Sequence, residues 1–103
     1  MSRVEALKKF IAARPADPFP RYGLAQEYKN AGCFEEARAE FETLMRDHPD
    51  YTAAYLHAGN VMIELGRRAE ARAIFERGIE VCGRRGDGHA MSELEGALSS
   101  FVE

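Results

Sequence analysis

The histidines and cysteines are the side chains of this chain that could bind a metal ion or act as nucleophiles. His48, His57 and His89 lack the i, i+4 spacing with which one helix presents two imidazoles to a metal ion. Cys33 and Cys82 are not related by the repeat described below, and no cationic residue next to Cys33 would lower the pKa of its thiol. We therefore predict no metal site, and two reduced thiols rather than a disulfide.

Paired carboxylates and glycine-rich loops are the other patterns that could support catalysis or cofactor binding. Glu35 and Glu36 fall in the first turn of a predicted helix, where negative charge interacts favourably with the helix dipole. Glu93 and Glu95 are more typical of a solvated helix face than of a general acid and base. The stretch 83–88 contains three glycines but has neither the preceding strand nor the lysine of a phosphate-binding loop. We predict no catalytic centre and no cofactor, and therefore not an enzyme.

The net charge argues against nucleic acids as partners, and the hydropathy pattern argues against membranes. The formal net charge of the 103 residues is −3, whereas phosphate binding needs a clustered positive field. Charged residues interrupt the first ten positions, and no run of 18 apolar residues occurs, so we expect no signal peptide, no membrane span and a cytoplasmic location. Neighbouring glutamates favour a solvated mixed face over a basic rim for five arginines: Arg67, Arg68, Arg72, Arg84 and Arg85.

A period of 34 residues organises the elements that position these side chains. Residues of one type recur at this distance: Gly32 and Gly66, Ala37 and Ala71, Phe41 and Phe75, and Pro15 and Pro49. A fixed period of this length is typical of stacked helical hairpins, none of which can bury its apolar face alone. The sequence therefore predicts an all-α fold built from antiparallel hairpins in a single domain.

Four segments follow from the period and from the apolar spacing within it. They are an N-terminal helix at 2–14, repeats at 18–49 and 52–83, and a capping helix at 87–102. Aligned on the recurring proline, the first segment matches the second helix of a hairpin, with Phe10 in the place of Leu44. We interpret it as half a repeat that covers the N-terminal end of the stack.

The last helix departs from the period. Gly83 stands where the first repeat has Pro49, so we predict a helix end there and a longer, looser connection. The apolar stripe of the last helix fits the repeat only after a slip of about two residues, which such a loop would allow. The stripe consists of Met91, Leu94, Leu98 and Phe101. These residues are predicted to cover the apolar end of the stack.

The two units resemble the tetratricopeptide repeat, whose pattern has an aromatic residue, Leu-Gly, Tyr, Ala, Phe and Pro at fixed positions. The first unit offers Leu24-Ala25, Tyr28, Ala37, Phe41 and Pro49. The second offers Tyr55, Gly59, Met62, Ala71 and Phe75. With both flanking helices the resemblance covers nearly the whole chain. It implies a right-handed α-solenoid of two full repeats between a half-repeat helix and a capping helix.

The resemblance also implies a function, because the first helix of each repeat lines a concave face that binds peptide segments of partner proteins in this family. By the family's spacing, the groove residues would be Phe19, Tyr22, Gln26 and Lys29 from the first repeat and Ala53, Leu56, Asn60 and Ile63 from the second. The clamp with which one branch of the family holds a C-terminal carboxylate is not supported, since Tyr22, Gln26 and His57 occupy its places. The resemblance thus predicts a non-catalytic scaffold that binds a protein or peptide.

Self-association is the alternative function, because two repeats make a short stack whose groove or end could pair with a second copy. A groove binder should be monomeric when empty, so the mass in dilute solution separates the two hypotheses. We expect a monomer or a weak homo-oligomer.

Overall fold

Six α-helices account for most of residues 2–101, the part of the chain that the computed structural model describes. In chain order they are α1 (Arg3–Ala13), α2 (Pro18–Asn30), α3 (Phe34–Asp47), α4 (Ala53–Glu64), α5 (Arg68–Arg85) and α6 (Gly88–Ser99). These residues contain no β-strand, so the predicted all-α fold is confirmed. No helix among them is both long and apolar enough to cross a membrane. Val102, the predicted end of the last helix, lies outside the described residues.

Consecutive helices pack against each other along the whole chain, from α1 on α2 to α5 on α6. In addition, α4 contacts both α2 and α6. The helices α2, α4 and α6 therefore lie side by side, with α3 and α5 packed behind them. This arrangement is a stack of two helical hairpins, α2–α3 and α4–α5, with α1 at one end and α6 at the other.

A glycine in the left-handed conformation ends the first helix of each hairpin. Gly32 has φ +79° and Gly66 has φ +75°. The Cys33 N–H donates to the Tyr28 carbonyl at 2.8 Å, and the corresponding bond recurs 34 residues later at the same length. These bonds form the Schellman motif, which satisfies the last carbonyls of a helix and turns the chain sharply. The 34-residue period thus places the same tight turn in both hairpins.

Two phenylalanines at equivalent positions form the centre of the core. Phe41 and Phe75 are 1% and 0% exposed. The Phe75 ring lies so close to α4 that a Cβ added at Gly59 would be 2.3 Å from its Cε1 atom. Small residues also allow close approach at the other helix contacts, where three alanines are fully buried: Ala25, Ala37 and Ala71.

The end of α5 differs from the prediction, which placed a helix end at Gly83 and a long loop after it. The helix continues to Arg85, and Gly86, with φ +73°, caps it in the left-handed conformation. Only Gly86 and Asp87 separate α5 from α6, so the predicted long connection is wrong. The physical reason is that no proline blocks the helix here. A Cβ at Gly83 would lie 3.3 Å from the Met91 methyl group, so the glycine lets α6 pack closely.

Gly78 allows α5 to lie between α4 and α6. A Cβ at this position would be 2.6 Å from Tyr55 Cβ on α4 and 2.9 Å from Leu94 Cδ1 on α6. Both of these side chains are fully buried, at 0% and 1% exposure. The helix α5 therefore packs against both α4 and α6, and α6 buries its apolar stripe against the second hairpin as the sequence predicted.

Gly78→Ala is expected to lower the free energy of unfolding by about 1–3 kcal/mol, because Tyr55 Cβ cannot move without shifting α4. The matched control is Gly96→Ala, where an added Cβ meets nothing within 4 Å. That control should raise stability by about 0.5–1 kcal/mol, since alanine restricts the unfolded chain more than glycine does. Urea denaturation of the three proteins measures the difference. Equal stability of the two variants would contradict the close packing of α5.

A pair of hydrogen bonds fixes the start of α6 beside the start of α4. Thr52 Oγ1 donates to Asp87 Oδ2 at 2.6 Å, and Asp87 Oδ1 accepts from the Ala90 N–H at 3.1 Å. The bond from Thr52, and after it the bond from Ala90, lowers the pKa of the Asp87 carboxyl. The ionised carboxylate therefore caps α6 and holds it next to α4.

Candidate functional site

Two adjoining clefts follow the side of the stack on which α2, α4 and α6 lie. The first has a volume of about 470 Å³ and is lined by Lys29, Asn30, Phe34, Asn60, Ile63 and Glu64. The second has a volume of about 380 Å³ and is lined by Leu56, Asn60, Ile63, Arg68, Phe75, Ala97, Ser100 and Phe101. Because Asn60 and Ile63 line both clefts, the two clefts adjoin each other, and we call them together the groove.

Four of the residues predicted from the sequence line the groove. Lys29 reaches it from α2, and Leu56, Asn60 and Ile63 line it from α4. All four are half-buried, so each presents part of its side chain to solvent within a depression. The structure therefore brings together an aliphatic pair, an amide and an ammonium group at the junction of the two clefts.

The other predicted residues do not line either cleft. Phe19 is 70% exposed in the first turn of α2, and Ala53 is exposed at the start of α4. Tyr22 packs against neighbouring aromatic rings instead, with centroid distances of 5.3 Å to Tyr51 and 6.5 Å to Phe41. Its side chain is thus mainly a structural contact that joins α2 to α3 and to the connection between α3 and α4.

Gln26 occupies an intermediate place on α2. Its side chain is half-buried, and its Oε1 atom is buried without a hydrogen-bond partner among the described residues. A buried acceptor without a partner is unfavourable by roughly 1–3 kcal/mol. This amide is therefore a polar group beside the groove whose hydrogen bonding the fold leaves incomplete.

Tyr51 lines neither cleft but packs against Tyr22, and the sequence did not predict this contact. It lies in the connection between α3 and α4 and packs on Tyr22, which also contacts His57 at a centroid distance of 6.0 Å. Burial raises the pKa of the Tyr22 and Tyr51 hydroxyls. The repeat gave no signal for Tyr51, because the residue 34 positions earlier is Asp17.

His57 and Lys29 form a polar contact between α2 and α4. The Lys29 Nζ atom lies 3.3 Å from His57 Nδ1. Burial, and after it the charge of Lys29, lowers the pKa of His57, whereas Glu93 on α6 acts in the opposite direction. The imidazole is therefore neutral at pH 7 and accepts a hydrogen bond from the ammonium group, which keeps a positive charge at the edge of the groove.

Lys29→Met is expected to raise the pKa of His57, because it removes the neighbouring positive charge and keeps the apolar part of the side chain. The imidazole resonances in an NMR pH titration report this pKa directly. Lys8→Met on α1 is the matched control and should leave the titration unchanged. An unchanged pKa of His57 in Lys29→Met would show that the ammonium group does not lie beside the imidazole in solution.

The end of α6 closes the second cleft. The Phe101 ring packs edge-on against Phe75 with a centroid distance of 6.3 Å, and the Arg68 guanidinium lies 4.3 Å from its centroid. Ala97 and Ser100 line the same cleft. The sequence predicted α6 as a cover for the end of the stack, and none of the predicted groove residues came from it. Of these three residues only Ala97 lies within α6, whereas Ser100 is its C-cap and Phe101 follows the cap, so helical spacing alone did not identify them.

The described residues contain no group of three or more histidine, cysteine, aspartate or glutamate side chains arranged to hold a metal ion. Cys33 is half-buried in the turn between α2 and α3, and Cys82 is fully buried in α5. Burial, and after it the nearby charge of Asp87, raises the pKa of the Cys82 thiol. Cys82 therefore does not lie in surroundings that favour a thiolate.

Comparisons with known proteins agree with the stack of helical hairpins described above. The family model of the tetratricopeptide repeat matches residues 30–81. The crystal structure of a tetratricopeptide repeat domain protein from Salinibacter ruber is 38% identical and has a TM-score of 0.78, with 82% of this chain and 93% of that chain covered. The solution structure of a Bordetella parapertussis protein is 25% identical and has a TM-score of 0.85, with 98% and 88% covered.

Two further similarities extend over most of the chain. A TPR repeat-containing protein of Pseudomonas aeruginosa is 29% identical over 91 residues, which is 88% of this chain and 87% of that protein. The TPR2B domain of yeast Sti1, solved as a complex with pHsp70, has a TM-score of 0.87 over 93% of this chain and 77% of its own. At 19% identity this last similarity concerns the fold alone.

Proposed function

The chain belongs to the tetratricopeptide repeat family, and from that premise we propose that its groove binds a peptide segment of a partner protein, as a non-catalytic scaffold. The observation that carries the proposal is that the two clefts adjoin and share Asn60 and Ile63. A peptide that lies across α2, α4 and α6 would contact both clefts at once. The proposed contact residues are Lys29, Leu56, Asn60 and Ile63, which line the clefts, together with Phe19, Tyr22 and Gln26, which lie on α2 outside them.

The chemistry of the groove suits a peptide with apolar side chains and an available backbone. Leu56 and Ile63 offer aliphatic surface that an apolar side chain would bury. Asn60 lies between them and offers both a donor and an acceptor, as a peptide backbone requires. Gln26 would gain a partner for its buried oxygen if its amide turned toward a bound peptide. Apolar anchors would therefore supply most of the affinity, and the amides would fix the register.

The charges of the groove distinguish it from a site that is selective for a free C-terminal carboxylate. Lys29 carries a positive charge at the first cleft, where Glu64 adds a negative one. The places of the carboxylate clamp hold Tyr22, Gln26 and His57, as the sequence indicated. The TPR2B domain of Sti1 forms a complex with pHsp70, and its similar fold supports a peptide or protein ligand here in general terms. We propose an internal segment as ligand rather than a chain terminus.

Leu56→Ala and Asn60→Ala are each expected to weaken peptide binding by about 1–2 kcal/mol, because they remove an apolar anchor and a backbone partner from the centre of the groove. Peptides for the test are selected from a random display library on the immobilised wild type. Fluorescence anisotropy then gives the dissociation constant of each variant. Wild-type circular dichroism of the variants excludes loss of the fold as the cause.

Ile79→Ala is the matched control, since Ile79 is a half-buried aliphatic residue on α5 that lines neither cleft. It should lose stability much as Leu56→Ala does and still bind peptide with wild-type affinity. Equal weakening by all three variants would show that the effect reflects stability. Unchanged binding by Leu56→Ala and Asn60→Ala would place the site elsewhere.

A further inference from the structure

The N-terminal helix ends in the same way as α3, the second helix of the first hairpin. The C-cap residues Arg14 and His48 lie 34 positions apart and have φ/ψ of −136°/70° and −137°/69°. Their N–H groups donate to the carbonyls of Phe10 and Leu44, which are also 34 positions apart. The helix α1 is therefore the structural counterpart of α3 and is the second helix of a hairpin.

The first helix of that hairpin has no counterpart among residues 2–101. Whereas α3 packs between α2 and α4, α1 packs on α2 alone. Arg21 on α2 pairs with Glu40 at 2.7 Å, which identifies the face of α3 that contacts its hairpin partner. One repeat earlier, the positions of Glu40 and Leu44 are held by Ala6 and Phe10. These two residues therefore lie on the face of α1 that would contact the equivalent partner helix.

This face of α1 is apolar and largely open, with Phe10 and Ala13 exposed and Ala6 half-buried. Phe10 is 59% exposed, although its counterpart Leu44 is fully buried. Ala6, Phe10 and Ala13 follow the i, i+4, i+7 spacing of one helix face, so that small residues flank the phenylalanine. An incoming helix could thus approach closely and bury the ring. We call the surface of these three residues the α1 face.

The charges around the α1 face specify what would bind there. Lys9 and Arg14 are close to Phe10 along the helix, and neither forms an ion pair with another described residue. The counterpart helix α3 is mainly acidic, with Glu35, Glu36, Glu40, Glu42 and Asp47, whereas α1 carries Arg3, Lys8 and Lys9 against Glu5. Because Arg3 is paired with Glu27 at 2.8 Å, the positive charges that an approaching helix would meet beside the apolar strip are those of Lys9 and Arg14.

We propose that the α1 face binds an acidic amphipathic helix of a partner protein, at a site separate from the groove. The helix would lie along α1 as α2 lies along α3, with apolar residues over Phe10 and carboxylates near Lys9 and Arg14. A second copy is a poorer occupant, because its α1 carries the same positive charges and its α6 buries its own apolar stripe, with Leu94 only 1% exposed. The expected partner is thus a helix that has glutamates or aspartates beside its apolar stripe.

The test uses the full chain and two display libraries of helix-forming peptides of about three turns, the length of α1. One library carries glutamate and the other lysine beside a randomised apolar stripe. Selection on the wild type should enrich the acidic library. Affinity of the enriched peptides should fall with ionic strength, because exposed charges are screened by salt. Enrichment of the lysine library, or equal enrichment of both, would overturn the proposal.

Variants locate the binding on the molecule. Phe10→Gln should weaken the acidic peptides about tenfold or more, since it removes the apolar anchor from an exposed position. Leu56→Ala in the groove should leave their affinity unchanged. A negative result for binding at the α1 face can therefore be told apart from a negative result for binding in the groove. The double variant Lys9→Glu/Arg14→Glu keeps Phe10 and should shift selection to the lysine library.

Two results would contradict the assignment. Wild-type affinity in Phe10→Gln, with α-helical circular dichroism retained, would show that the peptides bind elsewhere. Sedimentation of the wild type as a dimer, together with a monomeric Phe10→Gln, would show that a second copy occupies the α1 face.

Discussion

Phe41→Ala is expected to lower the free energy of unfolding by about 3–5 kcal/mol. The side chain is 1% exposed and belongs to the buried core cluster. Its ring also supports Tyr22, with a centroid distance of 6.5 Å. Because a domain of this size has about 5–15 kcal/mol of stability in total, the variant should be close to unfolding under ordinary conditions.

Phe10→Ala is the matched control, because it removes the same side chain from a position that is 59% exposed. It should lower the free energy of unfolding by less than about 1 kcal/mol, as surface substitutions usually do. Urea denaturation followed by circular dichroism compares the two variants. Losses of similar size would mean that Phe41 is not the central residue of the core.

Deletion of residues 87–103 is expected to cause aggregation, dimerisation or a large loss of thermal stability. The deletion removes α6, whose Leu94 packs against the second hairpin at Gly78. An uncovered end of a helical stack exposes a contiguous apolar surface, which soluble monomers rarely tolerate. Tyr55 and Phe75, both fully buried in the intact chain, lie close to this surface.

Leu94→Ala is the corresponding point variant and retains the rest of α6. It should lower the free energy of unfolding by about 2–5 kcal/mol. Light scattering and thermal melts of both proteins test the expectation. A truncated chain that stays monomeric and melts with the wild type would show that α6 does not cover the core.

The repeated turns and core residues were predictable from the sequence, because they depend on local chemistry that recurs at a fixed distance. Gly32 and Gly66 permit the left-handed turn that ends a helix, and Phe41 and Phe75 recur at equivalent packing positions. Neither inference needs information about distant parts of the chain. The order of helices and the pairing within each hairpin follow from the same pattern.

The end of α5 was not predictable from the pattern, since Gly83 is compatible with either a helix end or a helix interior. Gly83 lies inside α5, and a Cβ added there would be 3.3 Å from the Met91 methyl group on α6. Glycine at this position therefore allows the two helices to pack closely. That is a contact between two helices, and single-sequence patterns carry little information on such contacts. The short connection that results also sets the register of α6.

The groove was predictable only in part, because exposure along one helix depends on its neighbours. Leu56, Asn60 and Ile63 were identified by position in the repeat and line the clefts. Tyr22 holds an equivalent position on α2 but packs on Tyr51, a residue outside the repeat pattern. The irregular residue between the hairpins therefore decides how much of Tyr22 a ligand could reach.

Chemical-shift mapping of a bound peptide tests the proposed groove most directly. A peptide selected on the wild type is titrated into the ¹⁵N-labelled chain, and the backbone amide shifts are followed at each residue. The largest shifts are expected on α2, α4 and α6, around Lys29, Asn60, Ile63 and Ala97. Shifts confined to α3 and α5, with these four amides unperturbed, would contradict the assignment of the groove as the binding site.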